Sequence, residues 1–318
     1  MLSRRFLRVK ALQEIYAYHQ SESSNLAQAE RHLLEGIDDL YKLFVYQLSF
    51  WVEVKRFAER RIEENKNKHF PTEEDLNPNL KFVNNRILNV LENNEHLRFL
   101  EDNKYKINWA DAREDFIRSF YNRLVEYPEY QEYMNNEKDS FGDDRRFLVS
   151  VIENYMAEDS LLYDFYSDRD LSFNSDYQIA IYLLWRFINE MPTHFDASSK
   201  LPPVYKDETE DKEFVVKLLE KTILHADEYM EMVKANISNW DYDRLALMDK
   251  ILIFMAVTEF VEFHSIPVKV TINEYIEISK FYSTPDSRRF VNGMLDRLSN
   301  VLKEEGKLVK TGLGLADK

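Results

Sequence analysis

The sequence predicts an all-α protein, and three observations carry that prediction. Glycine and proline are scarce, with 6 and 8 in 318 residues, against a usual ~7% and ~5%. All-β and doubly wound α/β folds need many tight turns, and therefore more of both. Apolar residues recur at three- and four-residue spacing along almost the whole chain, while period-two alternation is nearly missing. Two late segments also open with helix-capping chemistry.

Length and charge narrow the class further. At about 150 residues per domain, the chain makes one or two domains with a sizeable core. There is no cysteine, which excludes disulfides and thiolate metal sites. A net charge of −15 argues against a nucleic-acid binder whose whole surface is basic, but leaves room for a local basic patch.

The elements follow in order. A first helix is expected over 3–19, with Leu7, Ala11, Leu12, Ile15 and Tyr16 as its apolar stripe. A polar break at 21–25 precedes a long helical pattern over 26–64, which Gly36 is expected to divide. Pro71 and Pro78 bound a loop. Helices are then expected over 79–101, 108–127, 144–166 and 177–190, in a region rich in Tyr, Asn and acids. Residues 191–210, with Pro192, Pro202 and Pro203, form the clearest connector. Beyond it, helices are expected over 212–236, 244–263, 272–282 and 285–303. Thr271 with Glu274 reads as a capping box. Thr284 before Pro285 reads as a cap followed by a proline at the first helical position. Phe290, Val291, Leu295 and Leu298 read as core, and Gly293 as the mark of a close helix crossing. The glycine-bearing tail after residue 304 is expected to fray.

Catalytic and metal motifs are missing from the sequence. No histidine follows a glutamate by three residues, as helix-bundle metal sites require. Glycine-rich phosphate loops and the G-x-S-x-G elbow do not occur. The best apolar run, 251–257, is too short to span a bilayer and reads as a core helix. The basic N-terminus is not followed by an apolar block, so it does not read as a secretory signal. Its Arg-rich, amphipathic character also fits an organelle transit peptide, but the segment continues directly into a helix carrying Glu14.

The N-terminus does stand out chemically. Arg4, Arg5, Arg8 and Lys10 place four positive charges ahead of the first acid, Glu14. Residues 4 and 8, and 5 and 8, share a helix face, which makes a cationic ridge. On composition alone the plainer reading is a solubilising helix start. Guanidinium groups also bind phosphate at two points and stack on bases. Positive charge at a helix N-terminus opposes the helix dipole by roughly 0.3–1 kcal/mol per charge, which hints at a neutralising partner.

Several segments resemble one known family. RRFLRVKALQEIY (4–16) resembles the first helix of the bacterial NusB transcription antitermination family, and NWDYDRL (239–245) its approach to a second bundle. DKILIFMAVTEF (249–260), IPVKVTINEYIEISK (266–280) and DSRRFVNGMLD (286–296) are similar to the helices that follow, in order and correctly spaced. The resemblance covers roughly 1–50 and 211–303. It implies an all-α fold of two three-helix bundles, no enzyme activity, no cofactor and a cytoplasmic location without membrane attachment. The implied partners are boxA-like single-stranded RNA, the ribosomal protein NusE and the transcription elongation complex. By the same resemblance Arg4, Arg5, Arg8, Tyr282, Asp286, Arg288 and Arg289 are expected to contact RNA, and Asp249 to lie at the partner surface.

Two departures set this chain apart. Phe254 stands where the family usually carries arginine. Residues 51–205 interrupt the resemblance and have no counterpart in it, so the expected layout is 1–50, an insertion over 51–205, a resumed domain over 206–303 and a flexible tail over 304–318. The competing functional reading is a helical protein-interaction scaffold that keeps the fold without binding RNA; the acidic charge and the insertion favour it. A second rival, the RNA-recognition domain of an RNA methyltransferase, is disfavoured because little chain follows the last helix. The RNA-binding reading requires the guanidinium groups of the ridge to be free of the chain's own carboxylates.

Overall fold

The computed structural model describes residues 2–22, 24–237 and 242–315. Ser23 of the polar break, the first three residues of the NWDYDRL block and residues 316–318 of the tail lie outside them. Among the described residues there is no strand, and the α-helices are α1 (Arg4–Gln20), α2 (Leu26–Lys66), α3 (Glu73–Leu76), α4 (Arg86–Asn93), α5 (Glu95–Phe99), α6 (Arg118–Leu124), α7 (Pro128–Asn135), α8 (Phe141–Asn154), α9 (Ser160–Ser167), α10 (Phe173–Glu190), α11 (Glu208–Leu224), α12 (Ala226–Asn236), α13 (Leu247–Glu262), α14 (Val268–Tyr282) and α15 (Pro285–Glu304). No helix among them is long and apolar enough to cross a membrane. The chain forms two compact units, one of Met1–Ile37 with Pro203–Lys318, the other Asp38–Pro202. The second unit takes in most of the stretch, 51–205, that interrupts the resemblance.

In the first unit α13 is the central helix, packed by α1, α11, α12, α14 and α15. The apolar run predicted at 251–257 explains this position: six of its seven side chains, Ile251, Leu252, Ile253, Met255, Ala256 and Val257, are buried. Only Phe254 is partly exposed, and its ring lies 6.2 Å from that of Tyr229 on α12. An apolar contact between helices thus occupies the position where an arginine is usual in the resembled family. α1 closes the unit with Leu7, Ala11, Leu12 and Ile15, while Tyr16 at the edge of that stripe is exposed.

Helix starts and glycines test the local readings. Thr284 caps α15 as expected: its hydroxyl accepts the Ser287 N–H at 3.2 Å, and Pro285 follows at the first position. The Thr271–Glu274 capping box does not form. Pro267 occupies the N-cap and α14 begins a turn earlier, at Val268. Thr271 is buried inside the helix and Glu274 has left for an arginine on α1. On α15 Val291, Leu295 and Leu298 are core, but Phe290 is only half-buried. Gly293 faces open space, so no helix crossing explains it. Gly36 does not divide α2; a Cβ there would lie 3.2 Å from Lys10 Cε, so the glycine gives the lysine side chain room to pass.

The tail is docked rather than frayed over its described part. Gly306 ends α15 in the left-handed region at φ 71°, a conformation that glycine adopts without strain. Lys310 Nζ then donates to the Glu259 and Phe263 carbonyls at 3.2 and 3.0 Å, satisfying the C-terminus of α13. The Thr311 N–H donates to the His264 carbonyl at 2.9 Å, and a Cβ on Gly314 would lie 2.1 Å from that oxygen.

In the second unit the expected long helices are broken by their own polar side chains. The 79–101 pattern splits into α4 and α5, because Asn85 and Asn94 each turn a side-chain oxygen onto the next helix's free N–H groups. Asp159 does the same at α9, cutting the 144–166 pattern. The 108–127 pattern contains a π-helical turn, Arg113–Ile117, before α6. Between these short helices lies an aromatic core that includes Phe50, Trp51, Phe82, Phe120 and Phe147. The connector ahead of Pro203 is pinned: Asn94 Nδ2 donates to the Asp196 and Ser199 carbonyls, and the Leu201 N–H donates to His96 Nδ1 at 3.0 Å.

Candidate nucleic-acid interface

The arginines of α1 are held by carboxylates of the same unit. Arg8 is buried, with a side chain 4% exposed. Its Nε and Nη2 donate to the two Glu259 oxygens at 2.8 and 2.7 Å, and Glu259 also accepts from Thr271 at 2.7 Å and Tyr275 at 3.4 Å. Burial alone lowers the Arg8 pKa, but the charge of Glu259 and its hydrogen bonds outweigh burial and raise it above the ordinary value. Arg5 makes a two-point pair with Glu274 at 2.9 and 2.8 Å. Arg4 donates to Asp211 at 3.2 Å and lies 3.5 Å from Glu210. Phe214 sits beneath both ends of the row, 5.1 Å from the Arg4 guanidinium and 5.2 Å from that of Arg8.

The freedom that the ridge requires is therefore not met. Arg8 is a core ion pair joining α1 to α13, and the expectation that it contacts RNA is corrected: no phosphate reaches a guanidinium so placed. Arg4 and Arg5 differ, since their side chains remain 40% and 42% exposed while paired. The unfavourable charges at the start of α1 are neutralised from within, by acids that lie far away in the sequence.

Asp249 is corrected as well. It lies in the first turn of α13, is buried, and accepts a hydrogen bond from the Ser283 hydroxyl at 2.5 Å. Its carboxylate ties the start of α13 to the turn after α14 and offers no open surface to a partner.

The remaining predicted residues come together at that same turn. Tyr282 ends α14 half-buried, with its hydroxyl accepting from Gln13 Nε2 of α1 at 3.3 Å. Asp286 and Arg289 follow in the first turns of α15, both exposed, 3.7 Å apart at their nearest charged atoms. Arg288 stands beside them, half-buried. Phe281, which the motif reading passed over, is 84% exposed. The signal for it was present: the buried stripe of α14 runs through Thr271, Tyr275 and Ile278, and residue 281 falls off that face. Lys280, also exposed, pairs with Glu277. Among the described residues no group of three or more His, Asp or Glu side chains is placed to hold a metal ion.

Comparison with known proteins bears on this corner. The model of the NusB family matches residues 187–300. That span holds Asp249, Tyr282, Asp286, Arg288 and Arg289 and does not hold Arg4, Arg5 or Arg8. The chain is 40% identical over 104 residues to the transcription antitermination protein NusB of Salinibacter ruber, covering 33% of this chain and 65% of that one. It is 40% identical over 106 residues to that of Chloroherpeton thalassium, covering 33% and 50%, and 40% identical over 97 residues to that of Methylacidiphilum infernorum, covering 30% and 66%. The chain thus spans between half and two thirds of the length of these curated relatives. No solved structure matches it.

Proposed function

From the match of the NusB family model to residues 187–300 we propose that the chain is a transcription antitermination factor, a binding protein rather than an enzyme, acting in the cytoplasm. Its partners in this reading are boxA-like single-stranded RNA, the ribosomal protein NusE and the transcription elongation complex. The ridge of α1, paired with carboxylates of its own unit, does not carry this proposal. What supports it is the corner between α14 and α15, inside the matched span, where Tyr282, Asp286, Arg288 and Arg289 lie within eight residues of chain.

Each group has a task there. Arg288 and Arg289 bind phosphate, Tyr282 stacks on a base, and Asp286 accepts from a base amino group. Arg4 is reachable at a second edge, where a phosphate can replace the exposed Glu210, a surface pair that contributes only ~0–1 kcal/mol. Asp211 and Glu274 are largely buried, so they keep their guanidinium partners.

Fluorescence anisotropy with labelled boxA-type RNA over a salt series, with and without purified NusE, tests the reading. The expected result is binding that weakens with salt, at a slope near −0.7 per phosphate neutralised. A second reading, a scaffold that keeps the fold without binding RNA, is favoured by the internal pairing of Arg8 and by the net charge of −15. RNA that fails to bind at low salt, with NusE present, establishes the scaffold and overturns the antitermination reading.

A further inference from the structure

Among the described residues of the span that the family model matches, Phe281 is the most exposed large apolar side chain, level with Phe70 of the other unit at 84%. It is not a core residue displaced by poor packing. Adjacent residues on a helix point about 100° apart. With Tyr282 turned to Gln13 of α1, Phe281 is carried onto the outer side of the last turn of α14. It has no neighbouring ring: no aromatic pair or cation stack involving it occurs among the described residues. The groups close to it in the chain are Lys280, Tyr282 and the first turns of α15, with Arg288 and the 86% exposed Arg289. Two acids share this surface, Glu277 and Asp286, and each already has a cation within 4.0 Å, Lys280 and Arg289 respectively.

We infer that Phe281 is a nucleobase-stacking platform, a second aromatic contact for single-stranded RNA beside Tyr282. This rests on the RNA-binding reading of the α14–α15 corner and extends it to a residue that the family motif does not assign. An open phenyl face takes any base, since every base has a π-face. Arginines a few residues on supply the backbone contacts that seat the strand while the base lies flat. A protein partner meeting this surface would have to cover an isolated ring flanked by cations, with no other exposed large apolar side chain among residues 271–290 of the chain. RNA needs only one ring per base. The platform reads stacking and not charge, so it raises affinity without changing the number of phosphates neutralised.

The test compares wild type, Phe281→Ala, Phe281→Trp and the double variant Arg288→Ala with Arg289→Ala, using labelled boxA-type RNA over a salt series. At 84% exposure the phenyl group supports no core, and circular dichroism checks that Phe281→Ala keeps its helix content. The expected result is a roughly tenfold weaker Kd for Phe281→Ala with an unchanged salt slope. Phe281→Trp is expected to restore binding and to show RNA-dependent quenching of the added tryptophan, which a structural role would not produce. The arginine double variant is expected to flatten the slope. If Phe281→Ala binds RNA like wild type while the arginine variant is weakened, the platform is overturned and the antitermination reading stands. If Phe281→Ala loses NusE but keeps RNA, Phe281 belongs to a protein interface and the inference is wrong. If wild type binds no RNA with NusE present, both fall.

Discussion

Arg8 on α1 and Glu259 on α13 form a two-point ion pair, 2.7 and 2.8 Å long, with the glutamate side chain wholly out of solvent. Residues 251 positions apart in the chain thus fix the place of the first helix. Thr271 and Tyr275 complete the carboxylate's hydrogen bonds, so the charge is both paired and solvated by the protein. Such a group stabilises only as a set.

Removing one partner should therefore be severe. Arg8→Ala or Glu259→Ala is expected to lower stability by ~3–5 kcal/mol, because the survivor is a buried, unpaired charge. The double variant Arg8→Met with Glu259→Leu should recover most of that loss. Urea unfolding monitored by circular dichroism measures both. If Arg8→Ala folds as stably as wild type, the pair is not structural.

The two sets of arginines should separate in RNA binding. Arg288→Ala and Arg289→Ala are each expected to weaken binding and to reduce the magnitude of the salt slope by about 0.7 per lost phosphate contact. Arg8→Ala, tested with Glu259→Leu to protect the fold, should leave the slope unchanged. Parallel slopes for all variants would contradict the assignment of phosphate contacts to the corner.

Gly293 offers a stabilising change. It lies within α15, and a Cβ there meets no atom within 4 Å. Gly293→Ala is expected to raise stability by ~0.5–1 kcal/mol, through lower backbone entropy in the unfolded chain and better helix propensity. A lower melting temperature would show that the open space is occupied by something else.

Acid should loosen the connector in the second unit. Burial, and then the nearby Lys200 charge, hold the His96 pKa below its ordinary 6.5. The neutral ring accepts the Leu201 N–H, and protonation removes that acceptor. The folded state binds fewer protons than the unfolded one, so this contribution is complete above about pH 6.5 and is lost as pH falls below it. The protection of the Leu201 amide, its exchange rate relative to that of an unstructured amide at the same pH, should fall as pH drops through about 6.5. His96→Asn, which keeps an acceptor that does not titrate, should flatten that dependence.

The fold class was legible because it rests on local pattern. The scarcity of glycine, the apolar run of α13 and the Thr284–Pro285 start each act over a few residues and survive folding unchanged. What misled were side chains with a choice of partner. Asn94 and Asp159 could have faced solvent on long helices, but capped new ones instead. Thr271 and Glu274 had a local capping partnership available, yet Glu259 and Arg5 were better partners. The arginine ridge failed for the same reason: a charge count over ten residues does not see Asp211, Glu259 and Glu274. At the α14–α15 corner the resemblance named Tyr282, Asp286, Arg288 and Arg289 and passed over Phe281, whose exposure follows from its helical phase.

The lysine clamp on the end of α13 bears on how the molecule is cut for study. A fragment stopping at the close of α15 would strip Lys310 from two carbonyl oxygens, one belonging to the glutamate that anchors the first helix. Expression boundaries drawn from the family match would thus release the far end of the central rod twice over, from Lys310 and from Arg8. The smallest faithful version of this unit extends through Leu315.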